Sequence, residues 1–435
     1  MRIVDLRIHS IAIADPPLRS SYGLHAPYAL RTVIELVSDD NIVGIGETLG
    51  GDAIAQALAA LKPKLIGLDP FQVAGALMPL IEAESPSTAL ERSQTMFVPG
   101  ENPLDQDARL YSVLEIAALD LVGKALGKPA CDLIGGRVRS KVPFSAYPFY
   151  KHAGGGGEGS DARVDEYGEA LTPETLVAQV RQMIAAYGFK DIKFKTGVLD
   201  PELEIETVRQ LHRAFPDLPI RMDPNSAWTV ETSLKVARAL TRELGNGGYL
   251  EDPTAGMDNM AAVRKGMLAE GITTPLGSNV AVTSFGDLAE CVAKDAVQVV
   301  LCDPHYWGGM RQIQHLGKIC RTFGLGMSMH SNSHLGVSLM AMAHAAAATP
   351  HLTYACDTHY PWAQDQDEIV AGGRVPIKDG FVTIPERGGL GVELDHDQLA
   401  RGRERYATCA YRKRDDVLEM RKHVDPNWQR VLPRW

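Results

Sequence analysis

A regular spacing of short apolar segments is the feature that most limits the possible folds of this 435-residue chain. From residue 142 onward, eight apolar runs each end in a polar residue, and amphipathic stretches with helical periodicity separate them. The intervals between the final polar residues, from Lys195 to Asp357, are 28, 28, 28, 24, 27 and 27 residues. One strand, one helix and two loops fill such an interval, which predicts a (β/α)8 barrel.

The eight predicted strands have the sequences VPFSAY, DIKFK, PIRMD, GYLED, PLGSN, VQVVLCD, LGMSMH and LTYACD. The first unit is longer than the others because a glycine-rich segment, residues 151–172, is inserted between its strand and its helix. We interpret this segment as a flexible insertion, since it lacks the spacing of a phosphate-binding loop.

The N-terminal part of the chain follows a different pattern. Residues 1–13 alternate like a strand, and two further apolar runs flank the turn-forming SDDN, which predicts an antiparallel sheet. Helical periodicity follows in residues 52–66, 70–83 and 104–126. We therefore predict an α/β fold, a modified (β/α)8 TIM-type barrel with an α+β capping domain. The predicted boundaries are 1–135 for the capping domain, 136–385 for the barrel and 386–435 for a C-terminal segment that packs on the capping domain.

Charge and composition exclude several classes of protein. A net charge of −10 disfavours nucleic acid as a partner. No run approaches ~18 uninterrupted apolar residues, and the N-terminus lacks the features of a secretion signal, so we expect a cytoplasmic protein without a membrane partner. The six cysteines form no C-x-x-C pair, which argues against a disulfide framework and a structural zinc site.

Two lysines end the second predicted strand. Lys193 and Lys195 are two residues apart, so their side chains project to the same face of the strand. Ammonium groups a few ångströms apart lower each other's proton affinity, and one of them then serves as a base near neutral pH. The alternative is a pair of lysines that extend into solvent. We predict Lys195 as the base and Lys193 as the group that tunes it and neutralises a substrate oxygen.

Three oxygen-bearing residues end the next three strands. Asp223, Glu251 and Asn279 should lie side by side at the carboxyl edge of the barrel, where the catalytic groups of such barrels lie. A set of oxygen ligands without Cys or His suits a hard divalent cation such as Mg²⁺. The alternative for each residue is a helix cap or a salt bridge. We predict Mg²⁺ as the cofactor.

Asp303 and His330 end the sixth and seventh strands. A carboxylate that accepts a hydrogen bond from one imidazole nitrogen fixes the tautomer and leaves the other nitrogen for proton transfer. A cation with a lysine on one side and a histidine on the other is what removal of a proton α to a carboxylate requires. The enolase superfamily combines a Lys or His base with Mg²⁺ in this way.

The chain resembles the glucarate dehydratase subgroup of the enolase superfamily. The similar segments occur in the order HAPYALRTVIE, VGIGET, KFK, MDPNSAW, EDP, GSN, CDPHYWGG, HSN, DTH and LGVEL. The resemblance implies an enzyme, a hydro-lyase that dehydrates an acid sugar such as glucarate or idarate to a keto-deoxy diacid. His330 then acts as the general acid on the β-hydroxyl group. It also implies that certain residues contact the substrate, namely His25, Tyr147, Asn225, Ser331, Asn332, His359 and Arg414.

Two features of the site stay open at this stage. In some glucarate dehydratases the second cation ligand follows the E-D-P motif, where this chain has Met257 and Asp258, but we predict Glu251. A substrate hydroxyl contact is expected in the segment FVPGENPLDQD, residues 97–107, although no residue there matches the family's pattern.

Two other functions remain possible. Bases on both faces of the substrate carbon would also support an epimerase or racemase, and a catalytically silent homologue would bind the ligand without turnover. The resemblance favours dehydration. We expect a homo-oligomer that binds a small acid sugar.

Overall fold

The computed structural model describes residues 1–25, 27–79 and 106–435. An N-terminal antiparallel sheet packs against helices, and a parallel sheet with helices between its strands follows. This arrangement confirms the predicted fold, a modified barrel with a separate antiparallel sheet. In the described part of the chain, no helix is long and apolar enough to cross a membrane.

The N-terminal sheet has three long strands. The strands of this part are β1 Ile3–Ala14, β2 Arg19–Ser20, β3 Gly23–Leu24, β4 Tyr28–Ser38 and β5 Val43–Leu49. Its helices are α1 Asp52–Leu65, α2 Val73–Leu77 and α3 Gln106–Leu126. β1, β4 and β5 are antiparallel in that order, and β2 pairs with β3 as a short hairpin. Residues 80–83 and 104–105 of the predicted helices lie outside the described residues.

Two glycines allow helix α3 to pack directly on strand β5. A Cβ atom on Gly44 would lie 2.1 Å from the carbonyl oxygen of Ala117, and one on Gly46 would lie 2.7 Å from that of Val113. Real Cβ atoms do not approach this closely, so larger residues would separate helix and sheet. The glycines of the VGIGET segment therefore serve packing.

Six parallel strands form the main part of the barrel. The remaining strands are β6 Lys141–Pro143, β7 Ile192–Lys195, β8 Ile220–Asp223, β9 Leu250–Glu251, β10 Leu276–Ser278, β11 Val299–Cys302, β12 Gly326–Met329, β13 Ile377–Lys378 and β14 Phe381–Thr383. β7 to β12 lie side by side in chain order. Lys195 pairs with Asp223 in the register of β7 and β8. The polar residues at the strand ends are therefore neighbours at one edge of the sheet.

The first and eighth predicted strands close the barrel as irregular extended segments. Ser145 N donates to Cys356 O at 2.9 Å, and Lys193 N donates to Ala146 O at 2.8 Å. The first segment contains Pro143 and is followed by Pro148, and both prolines lack the N–H group that a regular ladder needs. β6 at its start pairs instead with β14 in a small antiparallel sheet.

The barrel helices follow the strands as the spacing predicts. The remaining helices are α4 Pro173–Tyr187, α5 Pro201–Ala214, α6 Val230–Ala239, α7 Thr241–Leu244, α8 Met257–Ala269, α9 Phe285–Lys294, α10 Gly309–Thr322, α11 Gly336–Ala347, α12 His396–Thr408 and α13 Asp416–His423. Thr172 and Ser284 begin α4 and α9 with reciprocal capping boxes. α4 to α11 connect successive strands, whereas α12 and α13 lie in the C-terminal segment.

The glycine-rich insertion has defined contacts on both sides. Gly157 N donates to Pro27 O at 2.8 Å, and Gly154 N donates to the Asp165 carboxylate at 2.7 Å. A Cβ atom on Gly156 would lie 2.5 Å from the backbone oxygen of Asp15. Its glycines permit close backbone packing against the segment after β1. The sequence did not predict this packing.

The C-terminal segment contacts both the N-terminal sheet and the barrel. Arg405 of α12 donates to Ala12 O of β1 at 2.8 Å. Farther along, the backbone N–H groups of Arg434 and Trp435 donate to Ala227 O at 2.7 and 3.0 Å. The division into domains at residues 135 and 385 stays a prediction from the sequence.

A buried carboxylate joins the N-terminal sheet to the barrel. Glu47 of β5 accepts hydrogen bonds from Leu335 N at 3.0 Å and Ser338 N at 2.9 Å, which are free donors at the start of α11. Arg31 Nε donates to the same carboxylate at 2.8 Å. α11 directly follows the HSN segment, so this contact holds the loop that carries His330.

Replacing Glu47 by glutamine should lower the free energy of unfolding by about 2–4 kcal/mol. The substitution leaves Arg31 buried without its anionic partner and removes one acceptor from the start of α11. Urea unfolding followed by circular dichroism measures the change. Glu386→Gln is the matched control, because that side chain is 77% exposed and pairs with Arg137 at the surface. Equal unfolding midpoints for the two variants would contradict this assignment.

Candidate active site

A cavity opens at the carboxyl edge of the parallel sheet. It encloses about 430 Å³ of space between atoms, part of it open to solvent. The residues that line it are Ser20, Tyr22, His25, Tyr147, Phe149, Lys195, Asn225, Asn279, Val280, His330, Asn332, His359 and Arg414. Nine of the fourteen residues predicted for the site are among them. The other five, Lys193, Asp223, Glu251, Asp303 and Ser331, lie directly behind and contact this lining or each other.

The two lysines occupy different layers of the site. Lys195 Nζ faces the cavity and donates to Asp223 Oδ2 at 2.8 Å. Lys193 is fully buried beneath it, with its Nζ 2.5 Å from Asp357 Oδ2 and 2.7 Å from Glu251 Oε1. The prediction that both project to one face agrees with this geometry. Lys193 lies behind the cavity lining, and its predicted contact with a substrate oxygen stays a prediction.

The surroundings shift the two lysines in opposite directions. Burial, together with the positive charge of Lys193, lowers the pKa of Lys195 below its usual value. Burial also acts to lower the pKa of Lys193, but the carboxylates of Asp357 and Glu251 outweigh it and raise that pKa well above its usual value. Lys193 therefore stays charged, whereas Lys195 holds its proton less tightly and is the lysine that lines the cavity.

A chain of buried charges under the site was not predicted. Asp357 joins Lys193 to Arg221, whose NH1 lies 3.3 Å from Asp357 Oδ1. Arg221 is fully buried, and its Nε donates to Asp191 Oδ1 at 2.8 Å. Asp357 ends the eighth strand and was counted in the spacing without a role. The charged residues of this row come from distant strands, so no local sequence pattern predicts that they pair.

The three predicted cation ligands are adjacent. Lys193 Nζ lies 2.7 Å from both oxygens of Glu251 but forms a hydrogen bond only with Oε1, and the buried Oε2 has no hydrogen-bond partner in the described part of the chain. Asp223 Oδ2 is 3.3 Å from the same Nζ. Burial and the charge of Asp223 raise the pKa of Glu251 well above its usual value. A divalent cation would offset this repulsion between carboxylates.

The amide of Asn279 completes the set. One of its two terminal amide atoms faces two carboxylates, 3.0 Å from Glu251 Oε1 and 3.1 Å from Asp252 Oδ2. As nitrogen, this atom donates to both carboxylates; as oxygen, it would need a cation between them. An amide oxygen 3.0 Å from the Glu251 carboxylate could share a hard cation with it. Among the described residues, no group of three Asp, Glu, His or Cys side chains is arranged to hold a metal by itself.

The alternative ligand downstream of the E-D-P motif does not fit. The Asp258 side chain is 86% exposed and pairs with Lys294 at the surface. Met257 is buried at the start of α8, and its thioether is a poor ligand for a hard cation. Of the three candidates, only Glu251 lies beside Asp223.

His330 and Asp303 form the predicted pair, with an additional partner. His330 Nδ1 lies 3.3 Å from Asp303 Oδ2, which leaves Nε2 of His330 as the other ring nitrogen for proton transfer. The second carboxylate oxygen of Asp303 contacts His305 Nδ1 at 2.6 Å, and His305 Nε2 contacts Ser338 Oγ at 2.6 Å. His305 was not among the predicted site residues, although its position two residues after Asp303 was a local signal that the two side chains could meet.

Burial and the neighbouring charges act in opposite directions on the pKa values of this pair. Burial acts to raise the pKa of Asp303, but His305 and His330 outweigh it and hold that pKa well below its usual range. Burial lowers the pKa of His330, against the opposing effect of Asp303. Asp303 is therefore the anionic partner of His330, and burial and Asp303 act in opposite directions on the proton of that imidazole.

An aromatic and imidazole cluster forms one wall of the cavity. His25 and His359 stack with their ring centroids 6.3 Å apart, and Tyr147 contacts His359 at 4.8 Å. Tyr147 OH donates to Asp223 Oδ2 at 3.2 Å. Ser331 Oγ, behind the wall, lies 3.1 Å from His359 Nδ1.

The remaining predicted contacts come from three different loops. Asn225 is held by a hydrogen bond of 2.6 Å from its amide to Asp223 Oδ1. Arg414 pairs with Asp416 through two hydrogen bonds of 2.5 and 2.6 Å. Asn332 lies at the rim and is partly exposed. Residues 97–105 of the segment FVPGENPLDQD lie outside the described residues, and so does the side chain of Gln106.

Sequence comparison places the chain among known enzymes. Residues 175–398 match the family model for the enolase C-terminal domain-like family. A protein of Streptomyces coelicolor described as a probable glucarate dehydratase is 42% identical over 440 residues, which cover 100% of this chain and 99% of that protein. This full-length relative confirms the expectation of an enzyme of the hydro-lyase type.

Solved structures agree with the sequence comparison. An enolase from Pseudomonas fluorescens Pf0-1 with bound magnesium, potassium and tartrate has a TM-score of 0.91 and 45% identity, covering 100% of this chain and 99% of that one. An enolase from Mycobacterium smegmatis complexed with tartrate has a TM-score of 0.88 and 46% identity, covering 100% and 98%. The match of family, full-length relative and fold leads to one conclusion. The chain belongs to the enolase superfamily.

Proposed function

We propose that this protein is a Mg²⁺-dependent dehydratase that converts an acid sugar, glucarate, idarate or a related aldarate, to a keto-deoxy diacid. The observation that carries the proposal is the position of two proton-transfer groups around one cavity. Lys195 ends the first strand of the six-stranded sheet and His330 follows the last, with Asp223, Glu251 and Asn279 between them. A substrate carbon held next to the cation ligands therefore has a base on each face.

The cation supplies charge stabilisation. Mg²⁺ held by Asp223, Glu251 and Asn279 would stabilise the negative charge that develops on the substrate carboxylate when its α-proton leaves. Lys193 adds a permanent positive charge beneath these ligands. Together with the bound cation, Lys193 would place positive charge where the carboxylate of an anionic substrate binds.

The two proton-transfer groups divide the reaction. Lys195 or His330 removes the α-proton, depending on which face of the carbon carries it. When His330 is the base, it returns the abstracted proton to the departing β-hydroxyl group as the C–O bond breaks. When Lys195 is the base, His330 enters the step already protonated and donates that proton instead. Either route yields water and an enol that becomes the keto product. Asp303 holds Nδ1 of His330 and so directs Nε2 towards the substrate.

The other predicted contacts hold the substrate chain. His25, Tyr147, Asn225, Asn332, His359 and Arg414 line the same cavity, and Ser331 supports His359 from behind. Hydroxyl, amide, imidazole and guanidinium groups match the hydroxyl groups and second carboxylate of an aldarate. Their roles, the homo-oligomer and the cytoplasmic location remain predictions from the sequence and its resemblance.

The reaction is tested by product analysis. Purified protein with Mg²⁺ is incubated with a panel of hexarate diacids and six-carbon aldonates, and products are identified by proton NMR. A keto-deoxy diacid from one hexarate or its epimer is the expected product. Interconversion of epimers without elimination would replace dehydration by epimerase activity. Unchanged substrates, with protein that binds Mg²⁺ and tartrate, would favour a silent homologue.

Replacing Glu251 by glutamine should weaken Mg²⁺ binding by about tenfold or more, because the variant loses one anionic ligand next to Asp223. Isothermal titration with Mg²⁺ measures the affinity without any turnover. Asp258→Asn, at the exposed alternative position, is the control and should bind Mg²⁺ as the unaltered protein does. The reverse order of affinities would move the second ligand downstream of Glu251.

A further inference from the structure

A short hairpin places one tyrosine inside the cavity. β2 and β3 are joined by Ser21 and Tyr22, and Ser21 Oγ donates to Asn225 O at 3.0 Å. On the other side, Gly23 has φ +142°, and a Cβ atom there would lie 2.3 Å from the backbone oxygen of Asp416 at the start of α13. The hairpin is therefore fixed between the barrel and the C-terminal segment.

The hydroxyl group of Tyr22 has no partner within the described part of the protein. The side chain is fully buried, lines the cavity and packs against Leu432 of the C-terminal segment. Buried tyrosine hydroxyl groups usually form a hydrogen bond, and leaving one unpaired costs stability. An unpaired donor on a residue that lines a polar cavity is available to a ligand bound there.

The surroundings of Tyr22 indicate which part of a ligand it meets. Burial, and then the negative charges of Asp252 and Asp223, raise the pKa of the phenol well above its usual value, so it keeps its proton. Asp223 is a predicted cation ligand, and Asp252 contacts the amide of Asn279, another predicted ligand. Ser21, next to Tyr22, is bound to Asn225, whose amide donates to Asp223 Oδ1 at 2.6 Å, so the hairpin lies on the cation side of the cavity. The phenol is a neutral donor there.

We propose that Tyr22 is a specificity-determining residue whose hydroxyl group donates a hydrogen bond to the ligand carboxylate held next to Asp223, Glu251 and Asn279. The inference rests on the proposed function, since it takes an acid as the ligand. Neither the spacing of the strand ends nor the resemblance assigns a role to this residue, which belongs to the hairpin rather than to the barrel.

Two tyrosine variants separate ligand binding from folding. Tyr22→Phe removes a hydroxyl group without a protein partner, so the thermal unfolding midpoint without ligand should stay the same or rise. Its affinity for tartrate in saturating Mg²⁺, measured by isothermal titration, should fall by about tenfold or more. Tyr150→Phe is the matched control, because Tyr150 OH contacts Thr207 Oγ1 at 2.9 Å away from the cavity lining. It should lower the unfolding midpoint and leave tartrate affinity unchanged.

The outcomes distinguish this inference from the proposed function. Equal tartrate affinity for Tyr22→Phe and the unaltered protein would overturn the inference alone. A weakened affinity for Mg²⁺ without tartrate would also overturn it, because the effect would then lie in the cation site. If the unaltered protein binds neither tartrate nor any hexarate, the proposed function fails and the inference with it.

Discussion

Replacing His330 by asparagine is expected to lower the rate of dehydration by about 10²–10⁴-fold with either epimer of the substrate. The imidazole lines the cavity and is the proposed acid for the departing hydroxyl group, a step that both epimers share. The measurement is kcat for glucarate and for idarate at saturating Mg²⁺, with tartrate affinity as a test that the site is intact. A rate above a tenth of normal with both sugars would contradict the role of His330.

Asp303 should act through His330. Asp303→Asn changes the acceptor that holds Nδ1 of His330, so it should lower kcat strongly as a single change. Combined with His330→Asn it should add little, because residues that act as a unit are not additive. Multiplication of the two effects in the double variant would show that Asp303 works independently.

Replacing Lys195 by methionine should have an effect that depends on the substrate's stereochemistry. With the epimer whose α-hydrogen faces Lys195, the rate should fall by about 10²–10⁴-fold, because the base is gone while the length of the side chain is kept. With the opposite epimer, His330 removes the proton and the loss should be much smaller. Kinetics with both epimers, together with α-proton exchange in D₂O, measure the difference.

A lysine outside the cavity serves as the control for this experiment. Lys190 is exposed and lies on the same segment before β7, so Lys190→Met should leave both rates unchanged. Equal losses with both epimers in Lys195→Met would show that Lys195 binds or orients the substrate instead of choosing a face. Retention of normal rates with both would remove Lys195 from the reaction.

Much of the fold can be predicted from the sequence because the barrel repeats one structural unit. Polar residues that end apolar runs at intervals near 27 residues mark six regular strands, and the structure places them at one edge of the sheet. The first and eighth segments are less regular because Pro143 and Pro148 interrupt the ladder and the chain pairs β6 elsewhere. Local patterns identify these segments as extended but not their partners.

Only part of the site can be predicted from the sequence, because some of its contacts join residues that are far apart along the chain. Alternation along a strand puts Lys193 and Lys195 on one face, and the structure agrees. Alternation does not predict which of the two lysines reaches the cavity. The outcome depends on the contacts of Lys193 with Asp357 and Glu251, which are 164 and 58 residues away in the sequence. Tyr22 gave no signal for the same reason: its neighbours come from the barrel and the C-terminal segment.

The N-terminal part of the chain contacts the cavity and the loop beside it. Glu47 holds the start of α11, which follows the loop that carries His330. The hairpin after β1 delivers Tyr22, and His25 follows it. Residues from the strand ends and residues from the N-terminal part therefore line one cavity. If the proposed roles hold, exchange of the N-terminal part should alter substrate choice more than reaction type.

Proton NMR of the purified protein with Mg²⁺ and a hexarate in D₂O shows directly whether the enzyme dehydrates its substrate. We expect loss of the substrate's α-proton signal and growth of a keto-deoxy diacid that carries solvent deuterium at the carbon that lost its hydroxyl group. Exchange of the α-proton without that product would retain the two bases but contradict dehydration. No exchange with any hexarate, in protein shown to bind Mg²⁺ and tartrate, would contradict both the dehydration and the roles of the two bases.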